Sequence, residues 1–270
     1  MARKRRRVKI TRLLIVLIIV LLLILIALLG LLKLRSAFVV EEEFNWDNDK
    51  FVYENGLLVY DDSNYESITG IDVCSFNKDI DWQKVKADGI DFAILRCGFR
   101  DAIGGELYLD PKYDEYMQGA LDAGIDVGIY FYSSALTIDE VYEEIEYVQS
   151  LVEPYDITYP IAYDMEPYEN GRLNDISVED ATTFATTFCD AFNEMGYQTM
   201  IYGNKAWLTQ NLDFEQIKDK YDIWYAAYIS LPELEYPFTM WQYTSSGIVD
   251  GIEGNVDIDL YIKEKEVEDD

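Results

Sequence analysis

From residue 70 onward the chain alternates between short β-rich runs and helical patterns, and this rhythm limits the fold more than any other feature. The β-rich runs fall at 70–74, 92–98, 127–133, 160–165, 199–202, 223–228, 238–243 and 256–262. Helical patterns separate the first five. The segment 81–88 opens with acids, 113–123 is closed by Gly124, and 137–151 opens on Thr137 with Glu140 three residues on. The segment 177–195 opens the same way on Ser177 and Asp180 and closes at Gly196. A hydroxyl followed at that spacing by an acid lets side chains satisfy the free N–H groups of a helix start. A last helical stretch is expected near 206–220, after which the remaining strands leave little room for helices. Strands alternating with helices imply parallel pairing through right-handed crossovers. Eight strands suggest closure into an α/β TIM-like barrel, five β/α units followed by three strands with short links. A doubly wound open sheet is the structural rival, weakened because no Gly-rich phosphate loop follows the first strand.

The N-terminus is a different material. Residues 1–12 hold seven Lys and Arg and no acid, and 13–32 is an unbroken apolar run plus Gly30. At about 1.5 Å per residue such a run spans roughly 30 Å, a bilayer's hydrocarbon thickness. Only Lys33 and Arg35 stand just beyond it, so the positive-inside rule predicts a single-pass membrane protein with a cytoplasmic N-terminus and an extracytoplasmic remainder. A cleaved signal peptide is the rival. The run exceeds the usual ~7–15 apolar residues, and Arg35-Ser36-Ala37 sets a bulky cation where cleavage wants a small residue. The expected organisation is a basic tail (1–12), a transmembrane helix (13–32), an acidic juxtamembrane spacer (33–69), a catalytic domain (70–263) and an acidic tail (264–270). Within the spacer, Asn55-Gly56 between two β-rich runs predicts a hairpin, with a partly ordered stalk as an equal rival.

Charge and composition exclude several functions. Nine of the 22 Lys and Arg precede residue 36, leaving 13 against 51 Asp and Glu, a net of −38 on the exported part. That charge argues against nucleic acid and anionic headgroups as partners. The chain has no His, which removes Ser-His-Asp and Cys-His catalysis and His-ligated metals. Cys74, Cys97 and Cys189 are too few for a disulfide framework, and their odd number leaves a free thiol. Acid-base chemistry therefore falls to carboxylates, Tyr, Lys and Cys.

In a barrel of this kind chemistry sits at the C-terminal strand ends. Those ends carry Asp72, the pair Asp164 and Glu166, Tyr202, Tyr228, Trp241, Gln242 and Asp257. Asp164 and Glu166 are two residues apart on a strand and so share a face. Their repulsion makes one hold its proton more tightly than a free carboxylic acid, as a general acid requires. A lone Asp-x-Glu is otherwise a weak signal, since acids at strand ends are commonly just solvated. Aromatic residues at 130, 132, 163, 202, 224, 228, 241 and 243 offer faces for sugar rings, and about half are expected to line a cleft, the rest being core. The candidate substrate contacts are Tyr130, Tyr132, Tyr202, Tyr228, Trp241 and Gln242.

The stretch Gly70-Ile71-Asp72-Val73, then Ile80-Asp81-Trp82, Gly89-Ile90-Asp91-Phe92 and Leu95-Arg96-Cys97-Gly98-Phe99-Arg100, resembles glycoside hydrolase family 25, the cellosyl-type lysozymes. The likeness continues through Asp110-Pro111, Val127-Gly128-Ile129-Tyr130-Phe131-Tyr132-Ser133, Asp164-Met165-Glu166, Tyr202-Gly203-Asn204, Trp241-Gln242-Tyr243 and Gly254-Asn255-Val256-Asp257, over about residues 70–262. It implies an N-acetylmuramidase acting on peptidoglycan glycan strands, with a monomeric catalytic domain and neither metal nor organic cofactor. By position Glu166 matches the general acid, Asp164 the carboxylate assisting the substrate's acetamido group, and Asp72 and Asp257 the other two acids. The chain departs from the family pattern at Cys74, Asn77 and Lys78, where Ser and a Gln-Gly are usual, and at Asp259, where Asn is often found. Cys74 reads as a small buried side chain, with a reactive thiol as the rival. Two other readings stand beside the muramidase: a wall-binding scaffold without turnover, and a glycosidase acting on another acetamido-sugar polymer.

Overall fold

A computed structural model describes residues 46–234 and 236–265, all of which fall in one compact unit. Among the described residues no helix is long and apolar enough to cross a membrane. The basic tail, the apolar run 13–32, residues 33–45 and most of the acidic tail lie outside the described residues.

The expected hairpin is present. β1 (Phe51–Glu54) pairs antiparallel with β2 (Leu57–Tyr60), Phe51 opposite Tyr60 and Glu54 opposite Leu57. Asn55 and Gly56 both take positive φ, 51° and 92°, which the tight turn between twisted strands requires. It is no free stalk. The Phe51 ring meets Trp241 edge-on at 5.3 Å, and Leu58 is buried. Burial of its apolar face against the barrel gives the hairpin the support that two strands alone lack. Residues 46–69 are thus part of the folded body, and the spacer expected over 33–69 does not extend through them.

The eight expected strands close into a barrel: β3 (Tyr65–Val73), β4 (Phe92–Arg100), β6 (Asp126–Tyr132), β7 (Ile161–Asp164), β8 (Thr199–Asn204), β9 (Asp222–Ala226), β10 (Met240–Gly247) and β11 (Val256–Glu264). Closure comes from β3, which pairs parallel with β4 and antiparallel with β11. A short strand not expected from the sequence, β5 (Leu107–Leu109), pairs antiparallel with the end of β4. The strands that alternate with helices pair in parallel, as expected, whereas β11, beyond the last short link, is antiparallel to both neighbours. The link 248–255 is shorter than the dozen or so residues that a parallel crossover needs.

Four helices fall where the sequence pattern sets them: α1 (Trp82–Ala87), α2 (Tyr113–Asp122), α3 (Ile138–Val152) and α4 (Val178–Glu194). Thr137 Oγ1 accepts from Glu140 N at 3.2 Å, and Ser177 Oγ from Asp180 N at 3.0 Å. The stretch 206–220 is not one helix. It divides into a π-helical turn, Trp207–Asn211, and a single α-turn, α5 (Phe214–Ile217). Leu212 between them is extended and buried, and Asp213 N donates to Thr182 Oγ1 of α4 at 2.8 Å, so packing on α4 outweighs helix continuity.

Side chains alternate across each barrel strand. Phe92, Ile94, Ala162, Met200, Trp224, Met240 and Tyr261 form the interior cluster, while Ile71, Leu95, Ile129, Ile161, Ile201, Tyr225 and Leu260 belong to the larger core beneath the helices and hairpin. The Phe92 ring lies so close to Gly70 that a Cβ there would stand 2.2 Å from it, so this position of β3 accepts no side chain.

Candidate active site

Alternation delivers the polar residues to one end of the interior. Asp72, Tyr130, Asp164, Glu166, Tyr202, Trp224, Tyr228, Gln242 and Asp257 line a cleft of about 180 Å³. Met165 turns outward into the core, which keeps Asp164 and Glu166 on the same inner side past the end of β7. The segment is held by β6: Ser133 N donates to Asp164 O at 2.8 Å, and the Tyr132 hydroxyl donates to Glu166 O at 3.0 Å.

Gln242 organises the opposite wall. Its Oε1 accepts from the hydroxyls of Tyr202 and Tyr228, each at 2.9 Å, and its Nε2 donates to Asp72 Oδ2 at 2.6 Å. Asp72 and Asp257 are direct partners across β3 and β11. Asp259, one inward position further down β11, accepts from Trp224 Nε1 at 2.8 Å. Asp110 ties the first loop in: its Oδ2 accepts from Arg96 Nε at 2.8 Å and from Ser75 N at 3.1 Å. The Arg96 guanidinium lies against the rings of Phe76 and Phe99, at 5.2 and 5.1 Å.

Five carboxyl groups here bind protons more tightly than in water. Burial raises Asp72, with the charge of Asp257 adding to it, while Gln242 works the other way. Burial likewise raises Asp164, reinforced by Glu166 and Asp72 and opposed by Arg96. Glu166 and Asp257 are raised by burial, and Asp259 by burial and then by Asp72. Asp164 Oδ1 is buried and receives no hydrogen bond among the described residues. Among those residues no group of three or more Cys, Asp or Glu is arranged to hold a metal ion.

The four expected acids and Tyr130, Tyr202, Tyr228 and Gln242 meet in the cleft. Two expected contacts do not. Trp241 is 0% exposed on the outer face of β10, where it packs against Phe51 and donates from Nε1 to Ala227 O at 2.9 Å. It neighbours inward-facing Gln242, so strand alternation turns it away. Tyr132 does not line the cleft and supports Glu166 from behind. Trp224, one of the aromatic residues that the sequence offers to sugar rings, lines the cleft, Asp259, noted there only as a departure from the family pattern, lies beneath it, and Arg96 is a site residue that the sequence reading left out. Each is inward by strand parity, and a charge inside an otherwise apolar strand is the signal that would have found Arg96 and Asp259. The three cysteines are free, and burial pushes the Cys74 thiol up, against a reactive thiolate.

Residues 71–252 match the family described as glycosyl hydrolases family 25. The autolytic lysozyme of Clostridium acetobutylicum is 27% identical over 193 residues, 71% of this chain and 55% of that protein. The modular autolysin LytC of Streptococcus pneumoniae, solved with a synthetic peptidoglycan ligand, superposes with a TM-score of 0.66 at 24% identity, over 78% of this chain and 52% of that one. A family 25 glycosyl hydrolase from Bacillus anthracis gives 0.61 at 23% identity, over 80% and 94%. The chain thus spans about half the length of the autolysins it matches. With the matched segment running from the first barrel strand to the link before the last, the chain belongs to glycosyl hydrolases family 25.

Proposed function

We propose that the chain is a peptidoglycan hydrolase, an N-acetylmuramidase that cleaves the β-1,4 bond between N-acetylmuramic acid and N-acetylglucosamine. The observation that carries this reading is Asp164 beside Glu166, with Asp164 Oδ1 buried and lacking a donor. An acetamido N–H of a bound sugar supplies that donor. Glu166, kept protonated by burial, gives its proton to the leaving glycosidic oxygen. The acetamido carbonyl oxygen attacks C1 as the C1–O bond breaks, forming a cyclic cationic intermediate. Asp164, ionised once the N–H and the positive charge face it, stabilises that cation. Water then attacks C1 as the bond between C1 and the acetamido oxygen breaks, which restores the acetamido group, and gives its proton to the Glu166 carboxylate. Tyr130, Tyr202, Tyr228 and Trp224 present ring faces and hydroxyls to the sugars. Asp72 and Asp257 shape the field and hold the glycan. Membership of the family and the lysozyme names of relatives support the reading.

The run 13–32 serves in this reading as an uncleaved anchor that keeps the hydrolase at the outer face of the membrane, supported by its length and flanking cations. Protease added to intact protoplasts should remove the barrel; protection of the whole chain would sink the topology. For the chemistry, mass spectrometry of digested peptidoglycan decides. Reducing muramic acid ends are expected. Reducing N-acetylglucosamine ends, or cleavage of chitin alone, would favour a different acetamido-sugar glycosidase, and no products a binding scaffold.

A further inference from the structure

Asp259 lies inside the barrel, 0% exposed, beneath the cleft rather than in it. Its Oδ1 accepts from Trp224 Nε1 of β9 at 2.8 Å, and its Oδ2 receives no hydrogen-bond donor among the described residues. Across the β3–β11 ladder Asp259 stands opposite Gly70, one inward position from Asp72, and the two carboxyl groups act directly on each other. Two buried carboxyl groups in such contact do not both ionise, since like charges at that range in a low-dielectric interior repel by several kcal/mol. One proton must lie between them. Asp72 already accepts from Gln242 Nε2 and opens on the cleft, whereas Asp259 has an unfilled oxygen and no access to water.

We propose that Asp259 is a positioning residue that acts as a neutral carboxylic acid, accepting from Trp224 at Oδ1 and donating from Oδ2 to Asp72. The pair then carries one negative charge, held on Asp72. The acid works as a fixed donor from below, as Gln242 does from the side, and Asp72 is kept both ionised and oriented toward the glycan. The charged and titratable groups facing the pair are Asp257 on β11, Asp164 at the end of β7 and Glu166 beyond it, Cys74 after β3, Tyr130 on β6, Tyr202 on β8, Tyr228 after β9 and Tyr243 on β10. All of these become or remain negative as pH rises, so each opposes a second charge on the pair. Arg96 faces Asp164 and is committed to Asp110. Raising the pH far enough strips the shared proton, doubles the charge and drives Asp72 from its place. Burial and the charge of Asp72 both hold that proton on.

This inference rests on the cleft's reading as a glycan-cleaving site, and the test separates the two. Measure kcat/KM on purified peptidoglycan across pH for wild type, Asp259→Asn and Asp259→Leu. Asn keeps the acceptor for Trp224 and gives Asp72 an amide donor that cannot be lost. Asp259→Asn should retain peak kcat/KM within about threefold, with a basic limb still set by loss of the Glu166 proton. Asp259→Leu should fall at least tenfold, chiefly in kcat. Infrared difference spectra of wild type minus Asp259→Asn should show the C=O stretch of a protonated carboxylic acid at neutral pH. A folded Asp259→Asn that loses tenfold or more of its peak kcat/KM, or the absence of that band, overturns the proposal. If Asp259→Leu does not fold, the Asn profile and the infrared band decide alone. If wild type cleaves no peptidoglycan, the functional reading fails while the band still reports whether Asp259 holds the proton.

Discussion

Gln242 Nε2 donates to Asp72 Oδ2 over 2.6 Å, so the residue that receives two tyrosine hydroxyls also fixes the orientation of a cleft acid. Replacing it with Glu keeps the shape and removes the donor, setting a sixth carboxylate against Asp72. A hydrogen bond to a charged group is worth about 1.5–3 kcal/mol, so Gln242→Glu should lower kcat/KM roughly tenfold to a hundredfold. Soluble-fragment release from labelled peptidoglycan checks this, with circular dichroism as the folding control. Activity within twofold of wild type would show that Asp72 needs no such partner.

Glu166→Gln removes the transferable proton at nearly constant volume. Turnover should drop by about 10²–10⁴ while glycan binding and folding persist. Asp164→Asn should also be severely impaired, Asp72→Asn and Asp257→Asn less so. A folded Glu166→Gln enzyme with most of its activity would move the general acid elsewhere in the cleft.

The same acids weaken the empty protein. Asp164 binds its proton far more tightly when folded, so between the ordinary carboxylate range and its raised value the folded state holds a proton that the unfolded chain has released. Stability contributed by that difference is complete at low pH and is lost as pH rises. Asp164→Asn should therefore melt higher than wild type at pH 7 and equal to it below about pH 4, each kcal/mol appearing as roughly 2–4 °C. Equal melting temperatures at both pH values would mean that the cleft accommodates the charge without cost.

A second buried acid lies outside the site. Glu144 of α3 is 0% exposed, accepts from Arg100 Nε at 2.7 Å and from the Tyr163 hydroxyl at 3.0 Å, and so clamps α3 to the strand that ends in Asp164. Burial pushes its carboxyl up to about 7 from an ordinary 4.5, against the opposing pull of Arg100. Its contribution is whole below 4.5 and declines as pH rises to about 7, by roughly 3 kcal/mol. Glu144→Gln should flatten the fall in melting temperature across that window relative to wild type. Glu144→Ala should cost about 3–5 kcal/mol by stripping a partner from buried Arg100. Identical pH slopes for wild type and Glu144→Gln would show Glu144 ionised throughout.

Trp241 gives a negative control for sugar binding. Buried between β10 and the hairpin, it should cost about 3–5 kcal/mol of stability as Trp241→Ala. Trp241→Phe should leave the KM for peptidoglycan within about twofold. A large rise in KM with Trp241→Phe would return the residue to the glycan's path.

The rhythm of the sequence determined the eight strands, four of the helices with their Thr137 and Ser177 caps, and the Asn55-Gly56 turn, because each depends on neighbours within a few residues. It also brought Asp72, Asp164 and Glu166 to one mouth, since the C-terminal ends of parallel strands share an end of the barrel, whereas Asp257, at the start of β11, reaches that mouth only because β11 runs antiparallel. Parity would have separated Trp241 from Gln242 as well, had the two been read as opposite faces of one strand. Other features belong to tertiary structure alone. The break at Leu212 follows from packing on α4, and the seating of the hairpin follows from the apolar surface that Trp241 offers it. The contact of Asp259 with Asp72 exists only because β11 runs antiparallel beside β3 and closes the barrel. Residues 187 positions apart in the chain carry no local signal of their meeting. Whether two such acids hold one proton or none is decided by the water and charge around them, which the folded barrel alone supplies.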